Sequence, residues 1–287
     1  MLARSCPASS RPPRPSTQTL DDAPRKGSTL DAIELSHIGK RFTIGARQIV
    51  ALRDVNLRVP RGQIAAIVGP SGSGKSTLLR LICGLIPPDE GAVRVNGTPV
   101  AGVDPRLGLV FQEPRLLPWR SALDNVALPM ELAGAGRPDR DAKSRELLQL
   151  VGVDRFADAY PSQLSGGMAQ RVGVARALSL DPEVLLLDEP FGSLDALTRD
   201  RLDTELLRLW EGTGKTMLVV THSIPEAVFL ADRVLVLSDA PGTIVADVPV
   251  DLGRPRTTDA LDASSATRAA VEIRSALARG AQVEPAA

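Results

Sequence analysis

Beyond residue 30 the chain shows strand patterning from Ile33, and Val55, Leu57 and Val59 then alternate with polar neighbours. A period of two marks a strand with one buried face, and Pro60-Arg61-Gly62 supplies the turn that ends it. Ile64–Val68 is different: five consecutive apolar residues, the pattern of a strand covered on both faces in a parallel sheet. This run stops at Gly69, and 76–85 reads as a helix. Residues 184–187, 217–220 and 234–237 are three further apolar runs of the same kind. Between the first and second of these four runs, about 113–179 has helical patterning broken at Pro114, Pro118, Pro129 and 134–138. Strands alternating with helices predict an α/β fold around a parallel sheet, here with a helical insertion. Near the C-terminus, Ala266, Ala270, Ile273 and Leu277 recur at helical spacing and predict one helix in 256–287, with no room for a regulatory domain. Residues 1–28 are rich in Pro, Ser and Arg and nearly without apolar side chains, so they are expected to be a disordered tail.

Composition narrows the function. Lys+Arg and Asp+Glu are 34 each, so no net positive field exists to hold nucleic acid, and no nucleic-acid partner is expected. A membrane span needs about 18 apolar residues. The best candidate, 217–237, is interrupted by His222, Glu226, Asp232 and Arg233. Two cysteines, Cys6 and Cys83, make no disulfide framework and suit a reducing compartment. The polar N-terminus lacks the apolar segment of a signal peptide, so a cytoplasmic location is expected.

The strongest chemical signal follows the first apolar run. Gly69, Pro70, Ser71, Gly72, Ser73, Gly74, Lys75, Ser76 and Thr77 fit the pattern G-x-x-x-x-G-K-[ST]. Glycines let successive N–H groups turn inward around a phosphate, and the following helix presents its positive end to the same anion. Lys75 supplies a point charge for the β/γ-phosphates, and the Ser76 hydroxyl is placed to ligate Mg²⁺. A chance glycine-rich turn would not also need an apolar strand before it and an apolar helix after it. The loop therefore predicts a nucleoside triphosphate site with Mg²⁺, but on its own it fits kinases, GTPases, helicases and transport ATPases alike.

Downstream residues discriminate among these. Leu164-Ser-Gly-Gly-Met-Ala-Gln170 resembles the signature motif of ATP-binding cassette (ABC) ATPases, and Val184-Leu-Leu-Leu-Asp188-Glu189 resembles their Walker B strand. Singly, each residue has an ordinary alternative: a histidine after a strand is usually structural, and a loop glutamine is usually solvated. In this order, between strand and helix signals, the set is specific, and the resemblance covers about residues 31–250. It implies a P-loop NTPase core with a parallel sheet, an N-terminal antiparallel β subdomain and an inserted α-helical signature subdomain, together spanning 29–255. It also implies roles. Asp188 would hold Mg²⁺ with Ser76 and Gln112; Glu189 would polarise the attacking water; Gln112 would sense metal and water. His222, after Thr221, would contact the γ-phosphate, and Asp195 would belong to the Ser193-Leu194-Asp195 loop. Phe42 would stack on adenine, although it could equally be core of the N-terminal strands. Ser165, Gly166, Gly167 and Gln170 would bind ATP held by a second copy of the chain, so that two ATP molecules are sandwiched between two subunits.

The segment from Phe111 to Val126, with its Glu-Pro-Arg-Leu-Leu-Pro-Trp and Leu-Asp-Asn-Val runs, is similar to importer ATPases for nitrate, aliphatic sulfonates and taurine. The resemblance implies two integral-membrane permease subunits, a solute-binding protein reached through them, and a peripheral position on the cytoplasmic face of the membrane. An ABC ATPase for another solute, or a non-transport regulator, is the alternative. A chromosome-maintenance ATPase would carry a long coiled coil before the signature, and a ribosome-acting factor would carry two cassettes. Leu116, Leu117, Pro118 and Trp119 are either core of the insertion or an exposed docking patch beside Gln112, and docking is the expectation.

Overall fold

The computed structural model describes residues 31–192 and 195–281. The predicted disordered tail and Ser193-Leu194 lie outside the described residues. Two strands open the fold as an antiparallel hairpin, β1 (Asp31–Ile44) and β2 (Arg47–Pro60), whose turn uses Gly45 at φ 61. With β4 (Glu90–Val95) and β5 (Thr98–Pro99) they make a four-stranded sheet in the order β2-β1-β4-β5. The second sheet holds β3 (Ile64–Val68), β6 (Leu107–Val110), β7 (Val184–Asp188), β8 (Thr216–Thr221), β9 (Arg233–Leu237) and β10 (Ile244–Pro249). Its order is β10-β9-β3-β8-β7-β6, parallel throughout except for the antiparallel edge strand β10.

The apolar runs are continuous because both faces of this sheet are covered. Ile64, Ala66 and Val68 of β3 point into one core, with Leu185, Leu187, Met217 and Val219. Ala65 and Ile67 point into the other, beneath helix α1 (Lys75–Ile82) and the antiparallel sheet. The expected helix 76–85 thus ends earlier, at Ile82, where Gly84 at φ 71 follows the last turn.

In the insertion, α2 (Ala122–Leu132), α3 (Arg137–Leu150) and α4 (Gly166–Leu178) are helical, but 113–121 is loop. Pro114 and Pro118 remove backbone donors there. The completely buried Asn125 binds the loop instead: its Oδ1 accepts from Leu117 N at 2.7 Å, and its Nδ2 donates to the carbonyls of Leu117, Arg120 and Ser121. Helix α5 (Ala196–Thr213) follows β7, and α6 (Ile224–Leu230) follows β8. The C-terminal helix α7 (Ser264–Gly280) is no loose appendage. It buries Ala266, Ala269, Ile273 and Ala276 in the same core as β9 and β10. Upstream of it, Arg256 donates to the carbonyls of Val228, Phe229 and Ala231 and so caps the end of α6.

The C-terminal ends of β3, β7 and β8 lie side by side along one edge of the sheet. Ligands of open α/β sheets bind at that edge.

Candidate active site

The phosphate loop leaves β3 at this edge. Gly72 and Gly74 have φ of 82 and 97, which an L side chain rarely adopts. At Gly74 a Cβ would also stand 2.7 Å from Leu52 Cδ2 and 3.0 Å from Ala51 O, so the glycine is required twice over. No side chain caps the first turn of α1, which leaves its N–H groups free for an anion. Lys75 is buried, and its Nζ donates to Gly69 O at 2.8 Å and Pro70 O at 2.7 Å. Burial lowers its pKa, while the charges of Glu189 and Asp188 pull the other way.

Asp188 ends β7, and its Oδ1 accepts from the Ser76 hydroxyl at 3.0 Å. Burial raises the Asp188 carboxyl above its usual range and the charge of Glu189 adds to this, against the Ser76 hydrogen bond and the cations of Arg80 and Lys75. A hydroxyl and a carboxylate in contact, with a second carboxylate alongside, form an oxygen donor set of the kind Mg²⁺ takes. Glu189 sits at φ 45, with its N–H bonded to Val220 O at 2.8 Å. Its Oε2 accepts from Gln112 Nε2 at 3.3 Å and lies 3.0 Å from His222 Nδ1. Three predicted residues separated by up to 110 positions thus meet on one oxygen. Below them, the Thr221 hydroxyl is buried against Glu226 and accepts from Ser223 N at 2.9 Å, which holds the backbone beside His222.

Phe42 is exposed rather than core. With Ile44 and Ile49 of the same hairpin it walls a cleft of about 410 Å³ whose floor is the phosphate loop and whose far side is Glu189. The two isoleucines escaped sequence reading because only the hairpin's pairing carries them across to the loop. Their exposure, 65% and 46%, suits a flat apolar ligand face.

The signature lies apart from this cleft. Ser165 Oγ caps α4 by accepting from Met168 N at 3.3 Å. Ser165 and Gly167 line an open surface of about 440 Å³ together with Thr198 and Arg201 of α5. Asp195 caps α5, accepting from Thr198 N at 3.0 Å. Gln170 requires a correction. The structure places it away from the surface that Ser165 and Gly167 line: it is 3% exposed, and its Nε2 donates to Phe111 O at 3.0 Å inside the subunit. One and a half turns from Ser165, a helical residue faces the opposite side.

The expected docking patch divides in two. Leu116 packs on the core, whereas Trp119 is 71% exposed. Leu117 lines a groove of about 390 Å³ together with Phe111, Leu128, Leu132 and Leu180. Among the described residues, no helix is long and apolar enough to cross a membrane.

Comparison with known proteins finds relatives over most of the chain. The family described as ABC transporter matches residues 52–192. A taurine import ATP-binding protein of Pseudomonas aeruginosa is 46% identical over 79% of this chain and 84% of its own length. An uncharacterised ABC transporter ATP-binding protein of Methanocaldococcus jannaschii is 45% identical over 82% of this chain and 89% of its own. Among solved structures, a dimeric ATP-binding cassette in a post-hydrolysis state bound to ADP and Pi superposes with a TM-score of 0.68 at 35% identity. It covers 76% of this chain and 98% of that one.

Proposed function

This chain belongs to the ABC transporter family, as an ATP-hydrolysing cassette, and we propose that it energises a membrane-embedded importer of a small sulfonate such as taurine. The observation that carries the hydrolytic reading is the meeting of Gln112, Glu189 and His222 on one carboxylate oxygen, next to Ser76 and Asp188. In that reading, the Lys75 ammonium exchanges its two loop carbonyls for the β/γ-phosphates, and Phe42, Ile44 and Ile49 receive the base. Ser76, Asp188 and Gln112 would hold Mg²⁺, which would supply charge neutralisation on the phosphates. Glu189 orients the attacking water and accepts its proton, with Gln112 and His222 fixing the carboxylate. Ser165, Gly166 and Gly167 close over ATP bound by a second copy.

The import reading is supported by the name of the Pseudomonas relative, by the exposed Trp119 and by the groove lined by Phe111, the residue before Gln112, and Leu117. An apolar groove rimmed by polar residues, at the ATP sensor, suits a helix of a permease subunit. Two permease subunits would then hold the pair of cassettes at the cytoplasmic face of the membrane, with a solute-binding protein delivering cargo from the other side. The decisive test is Glu189→Gln. ATP should still bind, kcat should fall at least about a hundredfold, and the variant should accumulate as an ATP-dependent dimer on size-exclusion chromatography. A monomer that turns over at the wild-type rate in saturating ATP would remove Glu189 from this role.

A further inference from the structure

The hydrolytic chemistry does not use the attachment of segment 111–115 to helix α4. Gln170 Nε2 donates to Phe111 O at 3.0 Å, Arg176 Nη2 to Pro114 O at 2.6 Å, and Arg176 Nη1 to Arg115 O at 2.9 Å. Between the two side chains stands Gly173, where an added Cβ would lie 3.5 Å from Pro114 Cβ. Residues 170, 173 and 176 are three apart and share one helix face. That face therefore grips the backbone on both sides of Gln112 and Glu113, at three carbonyls.

The chemistry of the grip is unusual. Burial lowers the pKa of the Arg176 guanidinium, and among the described residues no carboxylate lies near enough to offset that cost. A cation drawn out of water without a counter-ion is unfavourable unless its donors are well used. Here they are used on two successive carbonyls, which the planar fork of arginine can hold at a fixed orientation and a lysine ammonium cannot. Arg115, next along, turns its own guanidinium over the Phe111 ring at 4.9 Å and closes the loop on itself. Only the backbone of the loop is held, so the side chain of Gln112 stays free to reach Glu189.

We propose that Gln170 and Arg176 are positioning residues that fasten the Gln112 loop to the signature helix, so that sensor glutamine, groove and signature move as one body. The proposal rests on the roles given above to Gln112 and the signature, and adds the link between them. A signature drawn toward ATP on the second copy would then carry the loop with it.

The test uses the isolated subunit. In Arg176→Gln, backbone order parameters from ¹⁵N relaxation at Gln112, Glu113, Arg115 and Leu116 should fall from the rigid value of about 0.85 toward about 0.6. Order parameters in β3 and α1 should not change. ATPase kcat should drop about tenfold while KM for ATP stays within about twofold, with nucleotide still bound at one per chain. A covalent replacement checks the geometry. The 3.5 Å separation at 114 and 173 falls in the range of roughly 3.5–4.5 Å between disulfide Cβ atoms. Oxidised Pro114→Cys/Gly173→Cys should restore kcat to Arg176→Gln, and reduction should remove the gain. In the otherwise native chain the same disulfide should leave turnover nearly unchanged. If it stops turnover reversibly, the loop has to part from α4 during the cycle and the proposal fails. It fails equally if Arg176→Gln leaves the order parameters at those four residues unaltered. The order parameters judge the fastening even where Glu189→Gln overturns the hydrolytic reading.

Discussion

The phosphate loop and the signature both present a helix N-terminus to solvent, yet they are furnished differently. At the phosphate loop the polar groups are enclosed within the chain: Lys75 is buried on two carbonyls, Ser76 is bonded to Asp188, and Glu189 is held from two sides. At the signature Ser165 and Gly166 are exposed, and the surface they border is open, with Thr198 and Arg201 as its rim. One end can hold a triphosphate with its own residues, and the other has donors but no wall facing them. A helix N-terminus binds an anion well only where water is excluded and charge is focused. A second wall for these donors would have to come from outside the chain, as the proposed pairing of two copies would supply.

The largest effect should come from breaking the enclosed end. Lys75→Ala removes charge-assisted contacts worth about 3 kcal/mol, so ATP affinity measured by equilibrium binding should fall at least about a hundredfold. Unchanged affinity would mean that the lysine's bonds to Gly69 and Pro70 persist with ATP present.

The open end is tested by complementation. Ser165→Arg should retain one bound ATP per chain yet lose ATPase activity. Mixed with Lys75→Ala, it forms dimers in which one composite site is intact and the other doubly broken. ATPase should recover in verified mixed dimers, although neither variant turns over alone. Absence of recovery would place the signature's ligand elsewhere.

A smaller effect is expected at Trp119, which also faces outward. Trp119→Ser should weaken association with a permease by about 1.5–3 kcal/mol, the value of burying one large side chain. Because Trp119 is 71% exposed in the subunit, the melting temperature of the isolated protein should not move. A fall in melting temperature with association unchanged would make the residue part of the fold.

The smallest effect concerns charge buried beneath the enclosed end. Asp203 on α5 is pushed up to about 9 by burial, then by the charges of Glu226 and Asp200, with Arg199 opposing. Its folded pKa lies above its unfolded one, so the native state keeps a proton that the unfolded chain releases from about pH 4 upward. Asp203 therefore makes stability decline as pH rises toward 9. Asp203→Asn should remove that decline, so its melting temperature should exceed the wild-type value at pH 8, and by more than at pH 5. An equal or lower melting temperature at pH 8 would show that the carboxylate is ionised and satisfied in the fold.

Much of this site was legible in one dimension. The phosphate loop, the Asp188-Glu189 strand end and the Ser165-Gly-Gly cap are each written in contiguous residues, because a loop that wraps a phosphate or a strand that ends in a carboxylate is a local structure. The apolar runs at 64–68, 184–187, 217–220 and 234–237 likewise report burial on both faces without reference to what covers them. Tertiary packing decided the rest. The hairpin carries Phe42, Ile44 and Ile49 to a loop some 30 residues away, and only strand register determines that they arrive. Gln170 looks like part of the signature in sequence, yet its phase on α4 turns it inward to Phe111. Leu116 and Trp119, three residues apart, part company at the core surface because proline and Asn125 impose a loop where periodicity suggested helix. Arg176 carries no motif at all, since a guanidinium bound to carbonyls 61 and 62 positions away leaves no local trace. Spacing along the chain encodes what neighbouring residues do together; which distant backbone a side chain meets depends on how sheets and helices pack.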